Sequence, residues 1–368
     1  MKVILSKDTL VKGLNTVSKA VPVRTTMEIL KCVLLEAEDG QLKMVTNDTS
    51  LGIETRMEAF VEEAGSVAVD AVLFSSIIRK LPDSDVRIEC DAQKKIMISC
   101  ANARFSIAGR GTEEFIGLPD VDVRSSVTVS QFTVREMINE VIFSTSDSNL
   151  NAAMAGVYME VFGDNMKMTT LDGHRISIRV TKLQEEAEKN AAIIPGKTLN
   201  DLSKIANGDL DSPMTISFSR NHIQFSYDET RMISRVIDGD YFKIDAMLVH
   251  DYKTSVKINK RELLDCLDRS TLLISESDHK PVIMEIAEDS MVLRLRSAIG
   301  DMRETIAVEK TGEDLKIAFN PKFLIDALRV ISDEEVSLYF VRFNYPCTIT
   351  DEEGSYTYVI LPVNFTED

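Results

Sequence analysis

The strongest constraint on the fold is an internal repeat, because one short unit recurs six times along the 368 residues. In one form of the unit, an apolar strand ends at a residue type that favours helix N-caps, and apolar residues then follow at helical spacing. This form begins at Ser6, Ser130 and Asn259. The other form recurs at intervals of 125 residues, at Asp70, Pro195 and Asn320. Such self-similarity predicts a fold built from copies of one module.

Each unit predicts one amphipathic helix with a single buried stripe, because its apolar residues recur three or four positions apart. The predicted buried residues are Leu10, Leu14, Val17, Phe74, Ile77, Leu81, Val134, Ile138, Val141, Leu199, Leu202, Ala206, Leu263, Leu267, Leu324, Ala327 and Ile331. Ser270 interrupts the stripe of the fifth helix. Between the helices, the segments 36–42, 160–166 and 285–291 place turn residues between alternating strands and predict three hairpins.

The predicted fold class is α+β, with three tandem similar domains that each pack two helices on antiparallel sheet. Polar stretches at 120–126 and 250–254 indicate the boundaries, so the predicted domains are residues 1–125, 126–253 and 254–368. A sheet that runs through six units leaves two open edges, and head-to-tail contact of two chains would remove them. Twelve helices about 10 Å apart would enclose a hole roughly 35–40 Å across between opposite axes. A DNA duplex could pass through such a ring.

The charge distribution favours this arrangement. The chain has a formal net charge of −17, yet the six helical segments together carry +5, so the remainder carries −22. Basic helix faces inside a ring would hold DNA by topology with weak, sequence-independent phosphate contacts, which leaves sliding easy. Ordinary solvated helix faces remain the alternative interpretation of this charge pattern.

Catalytic and cofactor-binding interpretations find little support. Pro195, Gly196, Lys197 and Thr198 resemble the end of a phosphate-binding loop, but the glycine required five residues before Gly196 is Ala191. The four histidines accompany none of the common hydrolase or metalloprotease motifs. We therefore predict no intrinsic catalysis, no cofactor and no metal.

Composition indicates the cellular compartment. The five cysteines are scattered and never form a CxxC pair, which favours a reducing cytosol over a disulfide framework or a structural zinc. No apolar run reaches the roughly 18 residues of a membrane span, and the N-terminus lacks a signal-peptide pattern. The sequence predicts a cytoplasmic protein without a membrane partner.

Specific motifs now resemble a known family. The middle domain contains TLDGHRI at 170–176, the C-terminal region contains YVILPV at 358–363, and VIDG and AFN occur at 236–239 and 318–320. With three tandem domains, these motifs resemble the bacterial DNA sliding clamp family, the beta subunit of DNA polymerase III. The similarity extends over nearly the whole chain. It implies a non-catalytic processivity factor of chromosomal replication, a ring-shaped homodimer that encircles double-stranded DNA and slides along it.

The resemblance also implies partners. Domain three of each chain would contact domain one of the other, and clients would bind a groove between domains two and three. These clients are the replicative polymerase catalytic subunit, the clamp loader, and repair or translesion polymerases. Each brings a short peptide, usually a glutamine followed by large apolar residues. An acidic repeat scaffold that binds peptides without encircling DNA is the second hypothesis.

Site residues follow from the resemblance position by position. The groove would comprise Met154, Leu171, Gly173, His174, Arg175, Ile176, Phe242, Met247, Asn320, Phe323, Val359, Ile360, Leu361, Pro362 and Val363. DNA contact is expected from Arg24, Arg79 and Lys197, with support from Lys12, Lys80 and Lys204. The sequence departs from the family pattern at 149–153, at 241–244, at His279 and in its extended acidic tail.

The repeat itself adds an argument about the groove. Asp172 aligns with Asp48 in the first domain and Ser297 in the third, but neither is followed by Gly-His-Arg. The scaffold therefore does not require His174 and Arg175 at these positions. We interpret these two residues as the floor and wall of the groove.

Overall fold

The computed structural model describes residues 1–146, 151–248, 250–274 and 280–365. Within these ranges the chain forms six α-helices: α1 Lys7–Val17, α2 Ala71–Lys80, α3 Gln131–Val141, α4 Gly196–Ile205, α5 Lys260–Thr271 and α6 Pro321–Val330. None of them combines the length and the apolar character needed to cross a membrane.

The helices begin where the repeat predicts. The Ser6 hydroxyl accepts the N–H of Thr9 at 3.1 Å, and the Asn259 side chain accepts the N–H of Glu262 at 3.1 Å. The Ser130 hydroxyl accepts the N–H of Thr133, also at 3.1 Å. These bonds satisfy N–H groups that have no partner inside the helix. The side chains of Asp70 and Asn320 cap α2 and α6 in the same way.

The predicted helix stripes are confirmed, because all seventeen of their residues are buried. Ser270, which interrupts the stripe of α5, is buried as well, and its hydroxyl donates to the carbonyl of Leu267 at 2.6 Å. A buried hydroxyl with a local backbone acceptor fits on an apolar helix face without an unsatisfied polar group. The break in the pattern therefore leaves the helix face continuous.

The strands lie between the helices and are numbered in chain order. They are β1 Lys2–Ser6, β2 Cys32–Glu38, β3 Gln41–Asn47, β4 Leu51–Glu58, β5 Phe60–Glu63, β6 Gly65–Asp70, β7 Asp85–Cys90, β8 Lys95–Cys100, β9 Ala103–Ala108, β10 Ser125–Ser130, β11 Gly156–Leu171, β12 Arg175–Pro195, β13 Pro213–Phe218, β14 His222–Tyr227, β15 Thr230–Arg235, β16 Thr254–Asn259, β17 Val282–Ala287, β18 Ser290–Arg296, β19 Asp301–Ala307, β20 Glu309–Gly312, β21 Leu315–Phe319, β22 Glu335–Phe340, β23 Cys347–Thr350 and β24 Tyr356–Ile360. Short 3₁₀ helices lie at Ser18–Ala20, Glu28–Lys31, Ile142–Ser144, Ala152–Ala155 and Ile244–Ala246.

Two compact units divide the chain. The first comprises Met1–Arg135 and Asp201–Val236. It contains a five-stranded sheet in the order β5-β1-β7-β8-β9 and an eight-stranded sheet in the order β10-β13-β14-β15-β4-β3-β2-β6. In the larger sheet β15 pairs antiparallel with β4, with Met232 opposite Ile53. Strands from two sequence repeats therefore share one sheet.

The second unit comprises Glu136–Asn200 and Ile237–Asp368. Its seven-stranded sheet has the order β11-β12-β24-β23-β22-β16-β20, and its four-stranded sheet has the order β19-β18-β17-β21. Antiparallel pairing of β12 with β24 places Ile176 opposite Val359. Again the sheet continues from one repeat to the next, and several predicted groove residues lie at this seam between β12 and β24.

Two of the three predicted hairpins are confirmed by their register. Glu38 lies opposite Gln41 in β2 and β3, and Ala287 lies opposite Ser290 in β17 and β18. The third segment has strand conformation throughout β11, although Gly163 has a left-handed φ of 55°. The register of β11 against β12 shifts on both sides of Gly163. The predicted turn thus lies within a strand and is not a separate loop.

Candidate functional site

An apolar cluster at the seam of β12 and β24 forms the base of the candidate site. Its buried members are Leu171, Ile176, Ile178, Ile244 and Val359, and its half-buried members are Met154, Val180, Tyr241, Phe242 and Leu248. We name these ten residues the seam cluster. Five of the predicted groove residues lie in it: Met154, Leu171, Ile176, Phe242 and Val359. They meet because alternate residues of paired strands face the same side of a sheet.

Aromatic packing fixes one side of the seam cluster. The Tyr241 ring stacks on Tyr158 with centroids 4.7 Å apart and contacts Phe242 edge-on at 5.6 Å. Its hydroxyl donates to the carbonyl of Thr169 at 3.3 Å. Burial raises the pKa of Tyr241, so the phenol is neutral near physiological pH.

Five members of the seam cluster are absent from the predicted groove: Ile178, Val180, Tyr241, Ile244 and Leu248. Strand alternation with Ile176 gives a sequence signal for Ile178. Tyr241 and Ile244 fall where the sequence departs from the family pattern, so the resemblance could not transfer a role to them.

A tight turn connects β11 to β12 beside the seam cluster. The Asp172 carboxylate accepts the N–H groups of His174 at 2.9 Å and Arg175 at 3.1 Å. Gly173, which lies between Asp172 and His174, has a φ of 90°, which L side chains rarely adopt. Asp48 makes the same turn in the first unit, accepting N–H groups two and three residues later. The predicted equivalence of Asp48 and Asp172 is thereby confirmed.

His174 lies on the surface next to the C-terminal segment. Its ring is 5.9 Å from the ring of Phe323, and its carbonyl accepts the N–H of Leu361 at 2.9 Å. Leu361 is 45% exposed, and Met247, which follows the Ile244–Ala246 helix, is 44% exposed. Val363 is also exposed, while Pro362 is half-buried. These residues form an uncovered, largely apolar rim.

Arg175 does not line an open surface, and this corrects its predicted role as a groove wall. The side chain is buried, and its three guanidinium nitrogens donate to Asp172 at 2.9 Å, Asp326 at 2.6 Å and the carbonyl of Phe143 at 2.6 Å. The guanidinium also lies 4.3 Å from the centroid of Phe323. With all three nitrogens bound by the protein, Arg175 joins β12 to α6 and leaves the wall to its neighbours.

The same contacts keep the Arg175 guanidinium protonated. Burial alone lowers the pKa of this guanidinium, but Tyr358, Asp326 and Asp172 outweigh that effect and raise it. The Tyr358 hydroxyl donates to the main-chain carbonyl of Phe323 at 2.8 Å. Arg175 therefore contacts the ring of Phe323, and Tyr358 holds the main chain that carries it.

Ile360 is the second correction. Its side chain is completely buried in the core of the third domain, because it points to the opposite face of β24 from Val359. It cannot present a groove surface. Asn320 is half-buried and caps α6 by accepting the N–H of Lys322 at 3.0 Å, which fixes the helix that carries Phe323.

The predicted DNA contacts of the first domain lie on one helical layer. Lys12 on α1 and Arg79 and Lys80 on α2 are exposed, and the two helices pack together. Arg79 donates to the Asn15 side chain on α1 at 2.8 Å, which holds its guanidinium close to the face that bears Lys12. The structure thus brings three of the six predicted cations together.

The other predicted cations occupy separate positions. Arg24 is exposed in the loop after α1, and Lys197 and Lys204 are exposed at the two ends of α4. His279, the first part of the segment 149–153 and the last three residues of the acidic tail lie outside the described residues.

Comparison with known proteins gives one consistent answer. Models of the N-terminal, central and C-terminal domains of the DNA polymerase III beta subunit match residues 1–119, 128–243 and 246–364. The beta sliding clamp of Bacillus subtilis (strain 168) is 29% identical over 376 residues, which cover 99% of each chain.

Solved structures agree with these matches. A crystal structure from Eubacterium rectale, provisionally described as a DNA polymerase III beta subunit, is 50% identical with a TM-score of 0.95, covering 99% of this chain and 100% of that one. The DNA polymerase sliding clamp from Bacillus subtilis is 28% identical with a TM-score of 0.96, and each chain is covered completely.

Proposed function

Because the chain belongs to the DNA polymerase III beta subunit family, we propose that it is the processivity factor of bacterial chromosomal replication. Two copies close head to tail into a ring that encircles duplex DNA and slides along it. The ring is an accessory subunit of a DNA-directed DNA polymerase and performs no chemical step of its own. As a replication protein it would act in the cytoplasm. Its three proposed domains are residues 1–125, 126–253 and 254–368.

The seam cluster and its rim are the observation that supports client binding best. A floor of buried aliphatic side chains lies beside the exposed apolar residues Met247, Leu361 and Val363. Apolar side chains left uncovered next to an ordered cluster are typical of a docking surface for a peptide with large apolar residues. The replicative polymerase, the clamp loader and repair or translesion polymerases would bind here in turn. His174 and Phe323 form the wall, and Arg175 positions it.

DNA binding would use the exposed helix cations. Lys and Arg contacts to phosphates carry no sequence information, and they weaken as salt increases. The layer of Lys12, Arg79 and Lys80 offers such contacts, with Arg24, Lys197 and Lys204 as further candidates. Because a closed ring retains DNA topologically, these contacts need only be weak.

Uncovered apolar residues at two sheet edges support the dimer. Phe105 on edge strand β9 lies opposite the fully buried Ile98 and therefore faces the core side, yet it is 39% exposed. In the second unit, Leu272 after α5 is 77% exposed and Ile299 before edge strand β19 is 70% exposed. Edge strands with such neighbours are prone to pair with another chain. Contact between β9 of one copy and β19 of the other would be head to tail.

The groove is tested with the double substitution His174→Ala and Leu361→Ala. We expect the affinity for a fluorescent peptide with the sequence Gln-Leu-Ala-Leu-Phe to fall about tenfold or more, because both residues contribute to the uncovered wall and rim. Fluorescence anisotropy measures the affinity, and sedimentation measures the dimer, which should persist.

The matched control is His222→Ala with Leu210→Ala, which removes the same side-chain types from the first unit. This control should bind the peptide like the unmodified chain. Unchanged peptide affinity in the His174 and Leu361 variant would exclude this groove. Loss of the dimer in that variant would instead assign the two residues to folding or assembly.

A further inference from the structure

The outer face of the four-stranded sheet collects cations on an otherwise acidic protein. Side chains that alternate away from the core place Arg294, Arg296, Arg303 and Lys316 on this face, and Lys280 borders it. With Lys280 included, we name these five residues the cationic face. They line a cavity of about 1230 Å³ that also contains Glu285 and Asp301. Five cations against two acids contrast with a chain whose net charge is −17.

Among the described residues, the cations of this face outnumber the carboxylates near them. Arg294 lies directly opposite Arg303 on paired strands, where like charges repel. Glu285 binds both Arg294 at 2.9 Å and Lys316 at 3.1 Å, so one carboxylate serves two cations. In the part of the chain that the structure describes, neither Arg296 nor Arg303 forms an ion pair. An anionic ligand would relieve the repulsion.

The C-terminal segment connects this face to the candidate groove. Leu361 bonds to His174 at the rim, and two residues later the N–H of Val363 donates to the carbonyl of Ala318 on β21 at 2.9 Å. Asn364 and Phe365 then line the cavity, and the Phe365 ring lies 5.7 Å from the Lys316 ammonium. Four residue steps of extended chain span at most about 13–14 Å. One bound peptide could therefore reach from the groove to the cationic face.

We propose that the cationic face binds an acidic segment adjoining the apolar motif of a client peptide. The inference rests on the proposed function, since the same client occupies both surfaces. Carboxylates at every second residue of an extended peptide are about 6.6–6.8 Å apart, which matches the spacing of Arg294 and Arg296 along β18. Specificity among clients would then depend on their flanking charge as well as on their apolar residues.

The two carboxylates of the cavity favour a peptide over a nucleic acid. Glu285 and Asp301 would repel a continuous phosphate backbone, whereas discrete acidic side chains can avoid them. Among the described residues that line the cavity, Phe365 is the one aromatic residue; it packs near Lys316 and offers no stacking platform for successive bases. Pairing at the β19 edge would leave the face accessible, because its side chains stand perpendicular to the sheet.

The experiment compares fluorescent peptides that share the apolar motif Gln-Leu-Ala-Leu-Phe and carry a flank of either glutamates or glutamines, with the flank placed at each end in turn. Binding to the full-length protein is measured by anisotropy at low and at high salt. We expect the glutamate flank to tighten binding about three- to tenfold at low salt, with the gain reduced at high salt. The substitutions Arg296→Gln and Arg303→Gln together should abolish the gain. Arg261→Gln, at an exposed position on α5, should preserve it.

The outcomes separate the two proposals. Equal affinity for both flanks, or a gain that persists in the Arg296 and Arg303 variant, would overturn the cationic face while leaving the groove intact. Failure of both peptides to bind would exclude the client groove and this inference with it. A single-stranded oligonucleotide whose binding depends on Arg296 and Arg303, without a flank effect on the peptides, would assign the face to nucleic acid instead.

Discussion

Arg175 determines the local geometry of the candidate groove without facing it. Its guanidinium is bound by two carboxylates and one carbonyl and lies over the Phe323 ring, so the residue couples the turn at Asp172 to α6. His174, its neighbour, lies in the turn before β12 and is exposed. One of the pair is therefore available to a ligand, and the other keeps the surrounding surface in place.

Replacing Arg175 should lower the stability of the second unit, because its guanidinium is bound inside the protein and is not part of the exposed groove surface. Arg175→Ala leaves Asp172 and Asp326 without their shared cation, and we expect a loss of about 3–5 kcal/mol in the free energy of unfolding. Arg175→Lys should recover only part of it, because one ammonium cannot reproduce the fork of donors. Urea unfolding gives the measurement, with the exposed Arg261→Ala as the control. Equal unfolding midpoints for Arg175→Ala and the control would contradict this role.

Sequence could identify this pair but not separate their roles. The repeat alignment singled out His174 and Arg175, because the turn aspartates at positions 48 and 172 are equivalent and the residues after them are not. What it could not predict is that Asp326, distant by 151 residues in sequence, lies within hydrogen-bond reach of Arg175. Long-range partners of this kind decide whether a charged side chain is exposed or buried.

The helices could be predicted from local sequence, whereas the pairing of the strands could not. The caps at Ser6, Ser130 and Asn259 and the stripes of all six helices were predictable because they depend on residues within a few positions. The pairing of β12 with β24 joins residues far apart in the chain, and no local pattern encodes it. This pairing decided that Val359 joins the seam cluster while Ile360 enters the core.

A half-buried charge cluster joins three elements near the seam and should make the fold sensitive to pH. Arg179 on β12 contacts Glu140 on α3 at 2.9 Å and Asp351 after β23 at 3.0 Å. Burial raises the pKa of Glu140 to about 7, because the loss of solvent outweighs the attraction of Arg179. A carboxyl whose pKa rises on folding stabilises the folded state below its ordinary pKa near 4.5, and this contribution is lost as the pH rises towards 7.

Glu140→Gln should remove this dependence. Between pH 5 and pH 8 the free energy of unfolding of the unmodified chain should fall by about 2–3 kcal/mol more than that of the variant. Arg179 keeps Asp351 as its partner in the variant, so the cluster retains one ion pair. Urea titrations at several pH values provide the test, with the exposed Glu353→Gln as the control. Parallel pH profiles for the Glu140 variant and the unmodified chain would show that this carboxyl does not titrate in that range.

At the scale of the whole molecule, the charge distribution and the open sheet edges require the same assembly. Helical segments that carry +5 bear the cations that we propose contact DNA, while the remaining −22 would repel a duplex from other surfaces. Such a molecule gains little from binding DNA on one side only, because the positive charge is small. Enclosure converts weak contacts into stable retention, and enclosure requires that both edges of each chain be paired.

Charge at a sheet edge should therefore open the ring and abolish retention on DNA. Phe105→Asp places a carboxylate at the uncovered side of β9, where a second chain would have to bury it, and we expect a monomer of 41.1 kDa in sedimentation at micromolar concentration. Loaded on nicked circular DNA by a clamp loader, the unmodified protein should remain bound until that DNA is linearised, and the variant should be lost from both forms. Leu210→Asp, which adds the same charge at an exposed leucine outside the strands, should behave like the unmodified protein. If the unmodified dimer leaves circular and linear DNA at the same rate, the protein is a peptide-binding scaffold that does not encircle DNA.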